Sequence, residues 1–286
     1  MILAIASGKG GTGKTTLAVN LAASAPCPVT LLDCDVEEPN AHLFTRPENV
    51  LRTPKGVFVP RIDTDRCTLC GKCESVCRFS ALVIIGRKLM TYPEMCHACR
   101  GCLRICPENA IAEGERILGD VLSGNFGPHR LIWGEMRVGE AMSPPLIEAV
   151  RHMAPSGMPV ILDAPPGTSC PMIAAIRDCD FVLLVTEPTP FGLHDLALAA
   201  ETARHLGIPC AIVVNRAEEG NTLIQDYARR ENLAIFMEIP FRRSYAEAYA
   251  RGDILIDRDP ELKKAFVRLW ETIQRQTGIE KKRASA

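Results

Sequence analysis

The chain has 286 residues with nearly balanced charge, 33 Lys+Arg against 34 Asp+Glu, and 47% of it is hydrophobic. This composition excludes a disordered or fibrous chain, suits one large α/β domain with or without a small module, and makes no electrostatic case for nucleic acid or a membrane surface. No apolar run approaches the ~20 residues that span a bilayer, and Met1–Ala6 is too short and lacks the basic flank of an export signal, so the sequence predicts a cytoplasmic protein.

In chain order, the first 56 residues read as a strand (Ile2–Ala6), a glycine-rich loop, a helix over about 13–24 and a strand Val29–Cys34. The loop Gly8-Lys9-Gly10-Gly11-Thr12-Gly13-Lys14-Thr15-Thr16 fits G-x-x-x-x-G-K-[ST] between a strand and a helix. Its glycines let backbone N–H groups close on phosphate oxygens, with a helix N-terminus behind them. Lys14 is placed to reach the β/γ-phosphates, and the Thr15 hydroxyl to ligate Mg²⁺. With Lys9 in addition to the basic motif, this loop resembles the phosphate loop of MinD/ParA-superfamily P-loop ATPases. The resemblance implies that Lys9 contacts nucleotide across an ATP-sandwich homodimer. It also implies that Asp35 orients the attacking water, leaving Asp33 as a supporting or magnesium-shell carboxylate. Val36-Glu37-Glu38-Pro39-Asn40 is similar to the same group.

Thirteen cysteines, an odd number in a chain read as cytoplasmic, point to metal ligation rather than disulfides. Eight of them form a repeat: Cys67, Cys70, Cys73 and Cys77 map onto Cys96, Cys99, Cys102 and Cys106 at a constant offset of 29, and Ala81 maps onto Ala110. The run C-x₂-C-x₂-C-x₃-C, present twice, is similar to bacterial ferredoxins with two [4Fe–4S] clusters. By that resemblance one cluster takes Cys67, Cys70, Cys73 and Cys106, and the other Cys96, Cys99, Cys102 and Cys77. Structural zinc is the competing reading, but its sites pair well-separated C-x₂-C knuckles. Pro107 follows the fourth cysteine of the second run, whereas Arg78 stands at that place in the first. His97 lies inside a ligand loop whose cysteine positions are already filled. From Arg61 to Ala112 there are eight basic and five acidic residues. Those charges either offset negative clusters or form a docking face for an acidic redox partner. The module is expected at residues 57–112, inserted between ATPase segments 1–56 and 113–286.

Beyond residue 113 the sequence predicts strands Val160–Asp163, Phe181–Thr186, Ala211–Asn215 and Ala234–Ile239, with helices near 193–206 and 222–232. Such alternation implies a mostly parallel sheet with helices on both faces. In the resemblance Asp163 is the Walker B aspartate of the magnesium shell. Gly167 of Ala164-Pro165-Pro166-Gly167 offers its N–H to the γ-phosphate. Asn215 reads adenine, flanked by Pro240 and Phe241 in a similar segment, Ile239-Pro240-Phe241-Arg242-Arg243. Glu218 stands three residues after Asn215, where GTPases place a guanine-reading Asp, so ATP is favoured and GTP stays open. Cys27, Cys34, Cys179 and Cys210 read as small hydrophobes. Cys170, seven residues after Asp163, is either such a thiol or a bridging ligand of the kind in the nitrogenase iron protein, which needs a second cysteine; none lies between 113 and 150. The last helix, about 261–276, carries Leu262, Phe266, Leu269 and Ile273 on one face and is expected to pack on the core, and the tail after Gly278 to fray.

The wider fold also includes cobyrinic acid diamide synthases and dethiobiotin synthetase, but a cluster-binding insert has no role in amide synthesis. The sequence therefore predicts an ATPase using ATP, Mg²⁺ and two [4Fe–4S] clusters. It dimerises on ATP and passes electrons to a redox or metal-cofactor partner protein. The alternatives are a MinD/ParA-like scaffold with redox-sensing clusters and a carrier of iron–sulfur or other metal clusters.

Overall fold

A computed structural model describes residues 1–278; the tail predicted to fray lies outside the described residues. In chain order the elements are β1 (Ile2–Ala6), α1 (Lys14–Ala23), β2 (Thr30–Asp33), α2 (Ala41–Thr45), β3 (Glu48–Ile62), α3 (Lys72–Val76), β4 (Leu82–Ile85) and β5 (Lys88–Thr91). Then follow α4 (Gly101–Ile105), β6 (Ile111–Phe126), β7 (His129–Met136), α5 (Pro144–His152), β8 (Val160–Asp163), α6 (Cys170–Ile176), β9 (Phe181–Thr186) and α7 (Pro190–His205). The last are β10 (Cys210–Ala217), α8 (Leu223–Arg230), β11 (Ile235–Pro240), α9 (Arg243–Ala250) and α10 (Pro260–Gln276).

The central sheet has the order β11-β10-β9-β1-β8-β2-β7-β6-β3. Neighbours from β11 through β7 run parallel, while β6 pairs antiparallel with β7 and with β3. Alternation with period two divides each parallel strand between two cores. Leu3, Ile5 and Leu31 face one layer together with α1 and α10; Ala4, Ala6 and Leu32 face the other with α5, α6 and α7. The apolar face of α10, Leu262, Phe266, Leu269 and Ile273, is buried in the first core together with Trp270. Each such side chain taken from water contributes roughly 1.5–3 kcal/mol. The start of α10 is fixed by Asp259, whose carboxylate accepts from the Glu261 and Leu262 amides at 3.0 Å.

The sequence reading did not anticipate β6 and β7, nor β3 as one long strand. The strand Ile111–Phe126 carries Gly114, Gly119 and Gly124 and several carboxylates, so it has no buried-strand run to read. Its glycines answer to close packing instead: a Cβ on Gly119 would stand 2.2 Å from the Glu135 carbonyl. β3 and β6 form a continuous ribbon from Glu48↔Asn125 to Ile62↔Ile111, running through the expected boundaries near residues 57 and 113.

The ribbon's far end carries the cysteine module, and the 29-residue repeat is visible in its backbone. Helix α3, shifted by 29, lands on α4. The ribbon pair Ile62↔Ile111 lands on the hairpin pair Thr91↔Leu82. The Ala81 amide points to Cys77 Sγ at 3.3 Å and the Ala110 amide to Cys106 Sγ at 3.3 Å. Phe58, Val59, Cys73, Ala81, Leu82, Cys96, Cys102 and Ile111 make a small core of their own.

Candidate functional site

The phosphate loop sits at the carboxyl end of β1, between β8 and β9, where open α/β sheets bind ligands. Gly13 closes the loop at φ 96°, a left-handed conformation that a side chain would strain. A Cβ there would also stand 2.2 Å from Asn215 Nδ2. The Asn215 amide donates to the Thr12 carbonyl at 2.8 Å, and its oxygen accepts from the Arg216 amide at 2.9 Å. Asn215, expected to read adenine, thus also clamps the phosphate loop to β10.

Behind the loop lie three carboxylates. Thr15 Oγ1 donates to Asp163 Oδ2 at 2.5 Å, while Asp163 Oδ1 is buried with no partner among the described residues. A hydroxyl and a half-satisfied carboxylate at the mouth of a glycine loop are the donor set a phosphate-bound Mg²⁺ takes. Asp163 is fully buried, and burial holds its carboxyl well above the usual range, with Asp33 adding to the effect. Asp33 is also fully buried and accepts from the backbone amides of Asp35, Asn40 and Ala41 at 3.1, 3.0 and 2.9 Å. It therefore pins the loop that carries Asp35, a supporting role. Burial first, and then the Asp33 charge, raise Asp35 to about 7.

One cleft of ≈ 1270 Å³, counting its open mouth, brings together Gly10, Gly11, Gly13, Lys14, Thr15, Thr16, Asp35, Asn215, Pro240 and Phe241. Other predicted residues stand outside its lining. Gly8 is packed against the Asp195 backbone. Thr12 is buried, with its hydroxyl unpartnered among the described residues. Lys9, half-buried, accepts from Ser7 Oγ through its carbonyl at 2.6 Å. Gly167 donates its N–H to the Ser7 carbonyl at 3.1 Å, so meeting a γ-phosphate requires that bond to be released. Sequence reasoning missed Arg216, Arg242, Tyr245 and Tyr249, which also line the cleft. Arg216 follows Asn215 on β10 and Arg242 ends the loop before α9; Tyr245 and Tyr249, which no local motif marks, reach the cleft on α9.

The loop with Asp35 is tied to the other side of the molecule. Val36 accepts from the Met136 amide at 2.9 Å at the end of β7, and a Cβ on Gly134 would meet Val36 Cγ1 at 2.5 Å. From β7 the pairing passes to β6 and β3, hence to the cysteine module.

The eight module cysteines surround two cavities. Cys67, Cys70, Cys73 and Cys106 line one, of ≈ 370 Å³; Cys77, Cys96, Cys99 and Cys102 line the other, of ≈ 350 Å³, both counted with their open sides. Burial pushes the Cys102 thiol up to about 11 and raises Cys73 and Cys96. Crowded thiols of this kind ionise readily only against a positive centre. Among the described residues no three His, Cys, Asp or Glu side chains converge on a single-ion site. His97 stacks on Phe79, ring centroids 3.5 Å apart, at the edge of the second cavity. Cys170 is exposed at the start of α6; Cys34 and Cys179 are buried, and Cys27 and Cys210 half-buried. No helix among the described residues is long and apolar enough to cross a membrane.

Two uncharacterized proteins of Methanocaldococcus jannaschii are 32% and 31% identical to this chain over 96% and 88% of it, covering 96% and 90% of their own lengths. Ferredoxin-3 of Nostoc sp. is 37% identical over 20% of this chain and 76% of its own. Among solved structures, the septum site-determining protein MinD of Pyrococcus horikoshii, complexed with Mg-ADP, aligns over 97% of each chain with a TM-score of 0.59 at 18% identity. A Cyanothece McdA complex with ATP aligns over 95% of each with a TM-score of 0.56. These structural likenesses bear on the fold alone. Residues 3–256 match the family described as the CobQ/CobB/MinD/ParA nucleotide binding domain. A P-loop at the end of β1, two aspartates at the ends of neighbouring strands and that match over most of the chain lead to one conclusion: this protein belongs to the CobQ/CobB/MinD/ParA nucleotide-binding family.

Proposed function

We propose that this protein is a Mg²⁺-dependent ATPase whose residues 57–112 form an inserted ferredoxin-like domain with two [4Fe–4S] clusters, and that it couples ATP turnover to electron transfer to a partner protein or metal cofactor. The observation that carries the coupling is the hydrogen-bonded path from the Asp35 loop through Val36 and Met136 to β7, then through β6 and β3 to the module. The two four-thiol cavities and the match to a ferredoxin over 20% of the chain support the clusters.

Gly10 through Thr16 hold the phosphates with backbone N–H groups, and Lys14, 6% exposed, supplies a charge little screened by water. Thr15 and Asp163 hold Mg²⁺. Asp35 orients water for in-line attack on the γ-phosphate, while Lys9 reaches the phosphates of a second copy in an ATP-bound homodimer. Gly167 exchanges its bond to Ser7 for one to the γ-phosphate and returns after hydrolysis, the order–disorder logic of nucleotide switches. When bound, a [4Fe–4S] cluster supplies one-electron carriage; the cysteines hold it and the ribbon joins it to the switch.

The test is an anaerobic EPR-monitored redox titration of the iron-reconstituted chain. It is run without nucleotide and with MgATP on Asp35→Ala, the variant designed to keep ATP unhydrolysed. A MgATP-dependent shift of the cluster potentials is the expected result. Identical curves in a sample shown by sedimentation to have dimerised overturn the coupling.

A further inference from the structure

The two cysteine cavities are related by the 29-residue repeat, yet their charged surroundings differ: the exposed Lys72 and Glu108 line the first and the exposed Arg100 the second, while one largely buried charge, Arg116, stands near the second. Arg116 lies on β6 opposite Val57, beside the pair Phe58↔Glu115. Phe58 lines the second cavity, and its carbonyl faces Cys96 Sγ at 3.7 Å. The Arg116 side chain is 12% exposed. Through Nη1 it binds both carboxylate oxygens of Glu140, itself 13% exposed, in the loop that follows β7. Its Nε and Nη2 are buried and have no acceptor among the described residues. The repeat places Arg87 at the equivalent position beside the first cavity; it sits on the exposed β4–β5 turn.

A buried guanidinium with two unspent donors is costly unless something negative faces it. One carboxylate answers Nη1, and Arg116 stands opposite Val57, the neighbour on β3 of Phe58, whose carbonyl Cys96 Sγ of the second thiol set approaches. A cation in such a place stabilises the more negative, reduced form of whatever the thiolates hold. Net charge and hydrogen bonding near the sulfurs are the levers by which proteins tune such potentials. The repeat makes the two sites equal in ligands, so this charge makes them unequal in energy.

We propose that Arg116, positioned by Glu140, raises the reduction potential of the cluster held by Cys77, Cys96, Cys99 and Cys102 above that of the cluster held by Cys67, Cys70, Cys73 and Cys106. This rests on the cluster reading above. Arg116 acts through the cluster's environment and is a tuning residue, not a ligand. Of the two sites the second lies nearer the ATPase sheet, since Phe58 and Pro60 precede Ile62 on the ribbon. The first electron added to the protein therefore rests close to the nucleotide-binding domain.

The experiment uses the full chain reconstituted with iron and sulfide, with iron counted and the EPR signals followed against dithionite. In Arg116→Gln, one of the two potentials falls by tenfold or more in its reduction equilibrium, 59 mV for one electron, while the other moves much less. Arg116→Lys restores most of the change. Glu140→Gln, which leaves the cation unopposed, moves the same potential upward, a sign that a loss of packing does not produce. Eight irons per chain with unmoved potentials in both Arg116→Gln and Glu140→Gln, or equal shifts of both potentials, overturn the inference and leave the cluster reading standing. A wild-type chain that takes up no iron overturns that reading and this inference together. Where Arg116→Gln loses iron, Glu140→Gln decides: an upward shift supports the inference and an unmoved potential ends it.

Discussion

Gly13 and Asn215 fit each other atom to atom at the phosphate loop. A methyl group at residue 13 meets both a left-handed φ and the Asn215 amide 2.2 Å away. Strain of about 1–3 kcal/mol follows, and the loop can relieve it only by opening. Gly13→Ala is therefore expected to weaken MgATP binding by about 5- to 150-fold. Asn215→Ala removes one clamp to the Thr12 carbonyl, about 1 kcal/mol, and should weaken binding roughly fivefold. Isothermal titration with a non-hydrolysable ATP analogue measures both; equal affinities in Gly13→Ala and wild type would refute the packing argument. Asn215 was legible in sequence as a candidate for the base, but its bond to a residue 203 positions away was not.

At the scale of elements, the junction that matters is where the end of β7 meets the Asp35 loop. Gly134 leaves room there for Val36, and any Cβ must push against Val36 Cγ1 at 2.5 Å. Overpacking of this kind costs about 1–3 kcal/mol, so Gly134→Ala should lower the urea midpoint and depress ATP turnover together. Shortening the opposing side chain restores the space. The double variant Gly134→Ala, Val36→Ala should recover more than half of the lost stability, a coupling that a double-mutant cycle reads directly. Additive losses would mean that the two residues do not share the space. The β3–β6 ribbon escaped the sequence reading for the same reason that Gly134 did. Its glycines and carboxylates answer to neighbouring backbone across the sheet, and no periodicity of hydrophobic residues announces them.

For the whole molecule, two buried carboxylates, Asp33 and Asp163, and the half-buried Asp35 set a pH dependence. Burial raises Asp33, Asp35 and Asp163, with Asp35 at about 7 against 3.8 unperturbed. Between those values the folded chain holds a proton that the unfolded chain has lost. The nucleotide-free, magnesium-free protein therefore loses stability as pH rises through that window, by at most about 1.4 kcal/mol per pH unit from Asp35, and the loss is complete above pH 7. Asp35→Asn should flatten the slope and make the nucleotide-free protein more stable at pH 8 by roughly 2 kcal/mol, an upper-range figure for a group that is partly solvated. Mg²⁺ with ATP should offset the loss in the wild type. Urea titrations at pH 5 and pH 8 test this; a wild-type stability that rises with pH over that range, with Asp35→Asn unchanged from it, contradicts the assignment.

The sequence by itself determined the parallel α/β sheet, the phosphate loop, the two aspartates at strand ends and the two cysteine runs. Each is carried by local spacing: apolar runs of strand length, glycines at a tight turn, thiols every third residue. The resemblance to two-cluster ferredoxins likewise implied which cysteines share a cavity. Only the tertiary structure decided that Asp33 accepts from backbone amides, that Asn215 clamps the phosphate loop, and that a glycine-bearing ribbon joins the cysteine module, through β7, to the loop that carries Asp35. Only it separated Arg116 from its repeat mate Arg87. These are relations between groups far apart in the chain. They are settled by which surfaces the sheet brings into contact and which charges that contact buries, and a linear pattern records neither.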